Sequence, residues 1–283
     1  MKSIPPSNKL RENAGEKTAA EHLDYLESGI RLMLWFAWNH CRKHPEETFD
    51  QVINRRLDIF RRTSLNQGEL HGSSDGAPVA DWNRLVEKLS ALQEQTKNET
   101  ESGAFEHEAM RKISPLLPSR VERDLQSLRE RRFLAEFQCG SLRHNAKPQE
   151  DAPKRIGFHI ANACYPASLF DDPHYLPQCL MSLMEKTEKT FGVTELGTGT
   201  WLNSHPRWLE LFPPKWGERM SPPAEIAGNL GTWGQFMTAR QTFNHKLAAK
   251  FRQSGELPFP SRTSWCSMES LRNHLAACMA KKH

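Results

Sequence analysis

The 283-residue sequence is poor in cysteine, and its few cysteines are not arranged as a disulfide scaffold or a redox site requires. They occupy positions 41, 139, 164, 179, 266 and 278, with no Cys-x-x-Cys pair. We therefore expect reduced thiols and a cytoplasmic protein. His159, Cys164, His174 and Cys179 imitate a metal-ligand set, but the gaps between them match no familiar zinc spacing. The sequence predicts no metal site.

Long apolar runs and an excess of charge of one sign are also missing. The most apolar run, "IRLMLWFAW" from Ile30, is too short to span a bilayer, and the amino terminus "MKSIPPSNKLRENAGEK" lacks the apolar core of an export signal. We therefore expect no membrane association. The 38 basic and 34 acidic residues are mixed in runs such as "RVERDLQSLRERRF". Such mixing is typical of a solvated helix face and argues against a nucleic-acid partner.

Familiar catalytic motifs are absent as well. The sequence has no Gly-x-Ser-x-Gly nucleophile elbow and no Walker loop. The segment "GTGTW" contains glycines but lacks the third glycine of a dinucleotide fingerprint. We therefore predict neither a nicotinamide nor any other cofactor.

Two regions of different character are present. After a loose, polar segment over residues 1–17, apolar residues recur at helical spacing and predict a helical bundle over residues 18–145. Residues 150–283 hold five of the eight tryptophans and eleven of the eighteen prolines, and they begin with the alternating pattern of a strand. We expect this C-terminal α/β region to carry the site, either as a separate domain or as one continuous domain with the bundle.

Helix starts can be recognised in the first region. Thr18 begins an apolar helical pattern, Pro45 is suited to the first turn of a second helix, and Asp81 can cap a third. Ser119 with Glu122 predicts a capping box for a further helix. Between the last two, "EQTKNETESGAFEHE" is polar enough to predict a mobile segment.

Two strands are predicted in the second region. "RIGFHIAN" alternates apolar residues with small or polar ones, and "VTELGTGTWLN" is a second, weaker candidate because glycines weaken a strand. A helix from about Tyr175 to Thr190 lies between them, so the two strands should run parallel. We expect residues 155–203 to contain the only strands of the chain.

Two further helices complete the prediction. Thr232 with Gln235 forms a second possible capping box, opening a helix from Trp233 to about Arg252, and "SMESLRNHLAACMAKK" supplies the last helix. The predicted fold class is mainly α with a small β component (α+β). In it an N-terminal helical bundle packs on a C-terminal region with one strand-helix-strand unit.

Polar side chains follow both predicted strands. Asn162 follows the first strand, and Asn203 with His205 follows the second, so their loops should meet at the carboxyl edge of the sheet, where α/β folds bind ligands. His159 lies within the first strand and Asp171 in the loop after it. We predict that His159 or Asp171 moves a proton, while the asparagines and His205 bind the substrate's polar groups.

Structural alternatives exist for each of these residues. His159 could bond a backbone carbonyl within the strand, and Asp172 before Pro173 could cap the following helix. Asn162 and Asn203 could tolerate the unusual backbone angles of loops or brace two loops. If they serve a ligand, their alanine variants should stay folded and lose ligand response. If they brace loops, the melting temperature should fall.

Aromatic residues form a second candidate feature. Trp201 and Trp233 could offer flat apolar faces to a sugar-like compound, and Gln235 with Arg240 could contact an anion at a helix start. The same tryptophans could equally be structural core. The leading functional hypothesis is an enzyme or enzyme-like protein acting on a small polar metabolite. The alternative is a non-catalytic helical interaction protein with a tryptophan-rich core.

Overall fold

The structure is a computed structural model that describes residues 17–68 and 80–280. In this part of the chain the protein is mainly α-helical with a small four-stranded sheet, which confirms the predicted fold class. All but the last residue of the predicted loose N-terminal segment lie outside the described residues. Contacts divide the described chain into two compact units. We call residues 17–68, 80–133 and 226–258 the helical unit, and residues 134–225 and 259–280 the sheet unit.

The helical unit contains seven of the helices found in the described residues. Their bounds are α1 Ala19–Lys43, α2 Phe49–Arg56, α3 Ala80–Thr96, α4 Gly103–Ile113, α5 Pro118–Arg129, α9 Leu230–Trp233 and α10 His245–Ser254. Thr18 caps α1 in a complete capping box with Glu21. The start predicted for α2 at Pro45 is wrong by several residues, because Thr48 and Gln51 form the capping box and the proline lies in the preceding turn.

Two further predictions about the helical unit are corrected. The segment expected to be mobile contains most of α4, whose Phe105, Ala109 and Ile113 are fully buried at helical spacing. The box predicted for Ser119 and Glu122 does not form, because α5 already begins at Pro118 and Ser119 lies within its first turn. The polar composition of α4 conceals a buried apolar face that also includes Met110.

The C-terminal part of the helical unit also differs from its prediction. The continuous helix expected from Trp233 is divided into α9 and α10, which Asn229 and Asn244 cap with their side chains. Residues 226–258, grouped by sequence with the C-terminal region, belong to the helical unit because Trp233 and Phe251 pack into the core around α1. Within the described ranges, none of the helices combines the length and apolar character that a membrane crossing requires.

The sheet unit is built on four strands in the order β1-β2-β3-β4. The bounds of its elements are β1 Leu142–His144, β2 Arg155–Ile160, α6 Tyr175–Phe191, β3 Glu195–Thr200, α7 Pro206–Leu209, α8 Pro214–Glu218, β4 Arg262–Ser267 and α11 Met268–Ala280. β2 and β3 are parallel and α6 connects them, as predicted. Gly192 ends α6 in a left-handed conformation.

The expectation that residues 155–203 hold the only strands is wrong. β1 pairs antiparallel with β2, and the six-residue β4 pairs antiparallel with the whole of β3. β4 has the sequence "RTSWCS", in which a polar residue occupies a buried position, so apolar and polar residues do not alternate. Ser264 is buried and donates a hydrogen bond to the backbone carbonyl of Trp216. A strand with polar residues on its buried face lacks the apolar period on which the prediction relied.

The two faces of the sheet have different surroundings. One face carries Ile156, Phe158, Leu196 and Cys266, which join α6 and α11 in the hydrophobic core of the sheet unit. Side chains alternate along a strand, so the opposite face carries the residues between these. A groove lies on this opposite, open face.

Candidate functional site: a groove on the open face of the sheet

A groove of about 430 Å³ crosses the open face of the sheet. We call it the sheet groove. Its floor includes Gly157 of β2 and Gly197 and Gly199 of β3, and Gly197 is paired with Gly157 on one side and Trp265 of β4 on the other. Because these three positions have no side chains, the side chains of Asn145, Arg155 and Thr263 approach the floor closely.

The glycines are required by close neighbours as well as by the groove. A Cβ atom on Gly157 would lie 2.5 Å from Nδ2 of Asn145, so glycine gives the Asn145 amide room to lie over β2. A Cβ atom on Gly197 would lie 3.1 Å from the Ser264 carbonyl oxygen and 3.3 Å from Cδ of Arg155. The Arg155 side chain therefore crosses the sheet over Gly197.

One wall of the sheet groove is formed by His159 and Asn145. Nε2 of His159 lies 2.7 Å from Oδ1 of Asn145. Because an amide oxygen only accepts, this contact assigns the ring proton to Nε2 and leaves Nδ1 as an acceptor. Partial burial and the nearby Arg143 lower the pKa of His159, against the opposing effect of Glu136. At neutral pH His159 is therefore an uncharged imidazole that can take up a proton.

The opposite wall is formed by Trp265 and two arginines. The guanidinium carbon of Arg155 lies 3.7 Å from the centroid of the Trp265 ring, and that of Arg219 lies 3.6 Å from it. Two guanidinium carbons this close to one centroid would overlap on the same face, so the indole lies between them. Arg155 also donates two hydrogen bonds to Glu195, at 3.1 and 3.2 Å. This stacked column gives the wall a defined shape.

Asn203, a predicted ligand-binding residue, is a structural residue in the fold. It is 0 % exposed, and its Nδ2 donates to the carbonyl oxygens of Thr198 at 2.9 Å and Arg262 at 2.7 Å. Its Oδ1 accepts hydrogen bonds from the indole N–H groups of Trp208 at 3.0 Å and Trp216 at 3.2 Å. All four hydrogen-bonding positions of the amide are used inside the protein, so none remains for a ligand.

Asn162 and Asp171 brace their own loop. The Asn162 side chain donates to the Ala167 carbonyl at 2.9 Å and accepts from the Cys164 N–H at 3.1 Å. The Asp171 carboxylate accepts from the Ser168 N–H at 2.8 Å. Neither residue lines the sheet groove. Asp172 accepts from the His174 N–H at 2.8 Å just before α6, a turn rather than a helix cap, since no side chain caps this helix.

His205 and Trp201 belong to an aromatic cluster outside the groove. The His205 ring stacks on Phe170 with centroids 5.4 Å apart, and it contacts Phe259 and Trp201 at centroid distances of 5.1 and 6.2 Å. Partial burial and Arg207 lower the pKa of His205. The structure therefore brings Trp201 and His205 together, but the groove lining does not include them.

Trp233, Gln235 and Arg240 lie in the helical unit. Trp233 is buried and donates from its indole to the Arg56 carbonyl at 2.8 Å, and Gln235 is buried and donates to the Thr232 carbonyl at 2.8 Å. Of the predicted site residues, only His159 therefore lines the sheet groove.

Most of the side chains that line the groove were not predictable from the sequence. Asn145, Arg155, Arg219 and Trp265 each acquire their place in the groove from a neighbour that is distant in sequence. The available signal was the glycine pattern: Gly197 and Gly199, two residues apart, share a face of β3.

The helical unit contains a buried charge cluster that the sequence analysis also missed. Nζ of Lys17 lies 2.7 Å from Nδ1 of His22, and Nε2 of His22 lies 3.0 Å from Oδ2 of Asp124. Arg120 pairs with the same carboxylate at 2.7 Å. Arg120 is 0 % and Asp124 4 % exposed, so the mixed-charge run around them is not wholly a solvated helix face, as the sequence analysis had interpreted it. Burial lowers the pKa of Lys17 to about 7.

Within the described part of the chain, no three histidine, cysteine, aspartate or glutamate side chains are grouped as a metal ion would require. No protein-family model, curated protein or solved structure matches this chain.

Proposed function

We propose that the protein binds a small polar metabolite in the sheet groove and that His159 exchanges a proton with it. The observation that carries the proposal is the lining of the groove. A wall that holds a proton acceptor lies across β3 from a wall that holds two guanidinium groups. A pocket with a few converging polar groups is the usual form of a small-molecule site.

The chemistry proposed for His159 follows from its surroundings. Asn145 orients the ring through Nε2, and Nδ1 has no hydrogen-bond partner among the described residues. The lowered pKa keeps the imidazole neutral near pH 7, so Nδ1 acts as a general base. Asp171, the other predicted proton carrier, has no part in this proposal because its carboxylate is bonded within its own loop.

The proposal retains a cytoplasmic location and a small-molecule partner rather than a nucleic acid. All six cysteines are free thiols, as expected of a protein in a reducing compartment. The cationic groups of the groove are two arginines stacked on one indole, not a stripe that could follow a phosphate backbone.

A metabolite screen with a groove-blocking variant tests the binding proposal. Gly199→Val adds three carbon atoms to the floor, and its nearest neighbour is the methyl group of Thr263, 3.2 Å from the new Cβ position. Gly103→Val is the matched control, since nothing lies within 4 Å of a Cβ there and Gly103 lies in the helical unit, outside the groove. We expect thermal shifts that Gly199→Val removes and Gly103→Val preserves. Shifts that survive Gly199→Val would contradict binding in the groove.

A second measurement separates binding from proton exchange. His159→Gln retains a polar side chain but removes the base. If Nδ1 takes a proton from a carbon atom of the ligand and returns one from solvent, the unmodified protein incorporates deuterium at that carbon in D2O, followed by NMR. We expect the variant to bind the same compounds and to lose this incorporation. Equal incorporation by His159→Gln and the unmodified protein would refute the role of His159 and leave a binding protein.

A further inference from the structure

The sheet groove has an unbalanced positive charge. Its titratable lining residues are Arg155, His159 and Arg219, and no carboxylate side chain from the described residues lines it. Glu195 neutralises Arg155 through two hydrogen bonds. Arg219 has no ion pair with any residue of the described chain. Its guanidinium group stacks on the Trp265 ring. The charge available to a ligand is therefore that of Arg219.

The segment that carries Arg219 is held against the sheet before any ligand arrives. Arg219 directly follows α8, and its N–H bonds the Lys215 carbonyl at 3.2 Å. Two residues later, the Ser221 N–H donates to the Thr263 carbonyl at 2.9 Å, and Arg262 donates to the Ser221 carbonyl at 2.8 Å. These bonds tie the segment to β4, and Trp265 restricts the guanidinium plane. Such preorganisation lowers the entropy lost when an arginine binds a ligand.

We propose that the ligand of the sheet groove is a small oxyanion, a carboxylate or a phosphate ester, bound by the guanidinium of Arg219. The inference rests on the proposed function and specifies its substrate class. The guanidinium fork matches both groups, because each offers two oxygens in the geometry of a bidentate hydrogen bond. With the anionic group at Arg219, the rest of the molecule extends over Gly199 toward His159, whose strand lies about 10 Å from β4.

Matched pairs of probes test the charge requirement. Glycolate and glycerol phosphate are compared with their uncharged counterparts glycolamide and glycerol, at low ionic strength and up to about 10 mM, the range of weak single-site binding. The indole N–H signal of Trp265 in a heteronuclear NMR spectrum reports occupancy of the groove, with Trp265→Phe assigning it. We expect one or both anions to shift this signal and neither neutral probe to do so.

Substitutions of Arg219 supply the decisive comparison. Arg219→Gln should weaken anion binding at least about tenfold, the loss expected for a hydrogen bond between charged groups. Arg219→Lys should weaken it less, because it keeps the charge and loses the fork. Lys189→Gln removes the same charge from the exposed end of α6, outside the groove, and should change the affinity by less than about twofold.

The outcomes separate this inference from the proposed function. One outcome is that neutral compounds bind the unmodified protein and Arg219→Gln but not Gly199→Val. That result overturns the oxyanion inference and leaves binding in the groove standing. If the anions bind equally well to Arg219→Gln, the inference is also overturned. If no anion shifts the Trp265 signal and no screened compound depends on Gly199, both proposals fail. Selective response to glycolate or to glycerol phosphate identifies the oxyanion.

Discussion

Replacing Asn203 by alanine tests whether a polar residue at the end of a strand holds a fold or a ligand. The substitution removes four hydrogen bonds at once, two from the amide nitrogen to the carbonyls of Thr198 and Arg262 and two from the indoles of Trp208 and Trp216 to the amide oxygen. Alanine replaces none of them. The variant should therefore lose stability whether or not a ligand is present.

The expected loss is about 4 kcal/mol. A buried donor or acceptor that loses its partner costs about 1 to 3 kcal/mol, and the two indole N–H groups have no other acceptor in the described chain. The two carbonyls add less, because a carbonyl oxygen has a second lone pair. Protein stabilities are about 5 to 15 kcal/mol, so the variant should lose from about a quarter to most of its stability.

Urea unfolding followed by circular dichroism measures the loss, and tryptophan fluorescence reports the released indoles. Asn203→Asp sharpens the test. It keeps the oxygen that accepts from both indoles but places a second oxygen against the two carbonyls, so we expect it to restore little of the stability. Asn162→Ala is the comparison, because it removes partly buried hydrogen bonds to Ala167 and Cys164 and should cost about 1 kcal/mol. A loss below about 1 kcal/mol for Asn203→Ala would refute the structural assignment.

Three further predictions concern titration and backbone space. Lys17 has a pKa of about 7 when folded against 10.5 in the unfolded chain, so the unfolded state binds more protons at this residue between these values, and the contribution of Lys17 to stability should rise by up to about 5 kcal/mol from pH 7 to 10.5, against the opposite contribution of the buried thiols. In chemical denaturation, the stability of Lys17→Met relative to the unmodified protein should therefore fall as the pH rises from 7 to 10.5. NMR titration should give His159 a pKa below 6.5, and Arg143→Gln should raise it. Gly228→Ala should destabilise by about 2 kcal/mol or more in urea, since its Cβ would lie 2.4 Å from a backbone carbonyl oxygen, whereas Gly103→Ala should not.

Much of the fold was predictable because local rules act within a few residues. The helix start at Thr18, the stop at Gly192 and the parallel pairing of β2 with β3 follow from caps, glycine conformations and connection length. The division of the predicted helix after Trp233 was not predictable in this way. There Gln241 adopts a left-handed conformation in a turn held by hydrogen bonds between Thr238 and Thr242. This turn replaces the helix, and the spacing of apolar residues does not predict it.

The candidate site was less predictable because polar side chains are ambiguous until their hydrogen bonds are counted. Asn203 and His159 looked alike in sequence, each a polar residue at a predicted strand. In the structure Asn203 uses all its hydrogen-bonding capacity inside the fold, whereas His159 uses one ring nitrogen and presents the other. No spacing rule separates the two cases, since the partners of Asn203 lie as far away as Arg262.

The glycines of β3 indicate the position of the groove in the sequence, which the polar residues did not. In the sequence they weakened the prediction of a strand, because a strand glycine has no side chain to pack and costs backbone entropy. β3 nevertheless has partners on both sides, β2 and β4, and this pairing can offset that cost. Two glycines on one face of a central strand, flanked by Gly157 on the next, are then better explained by what must pass over them. Arg155 crosses at Gly197, and the Thr263 methyl group lies 3.2 Å from the Cβ position of Gly199 at the lining of the groove.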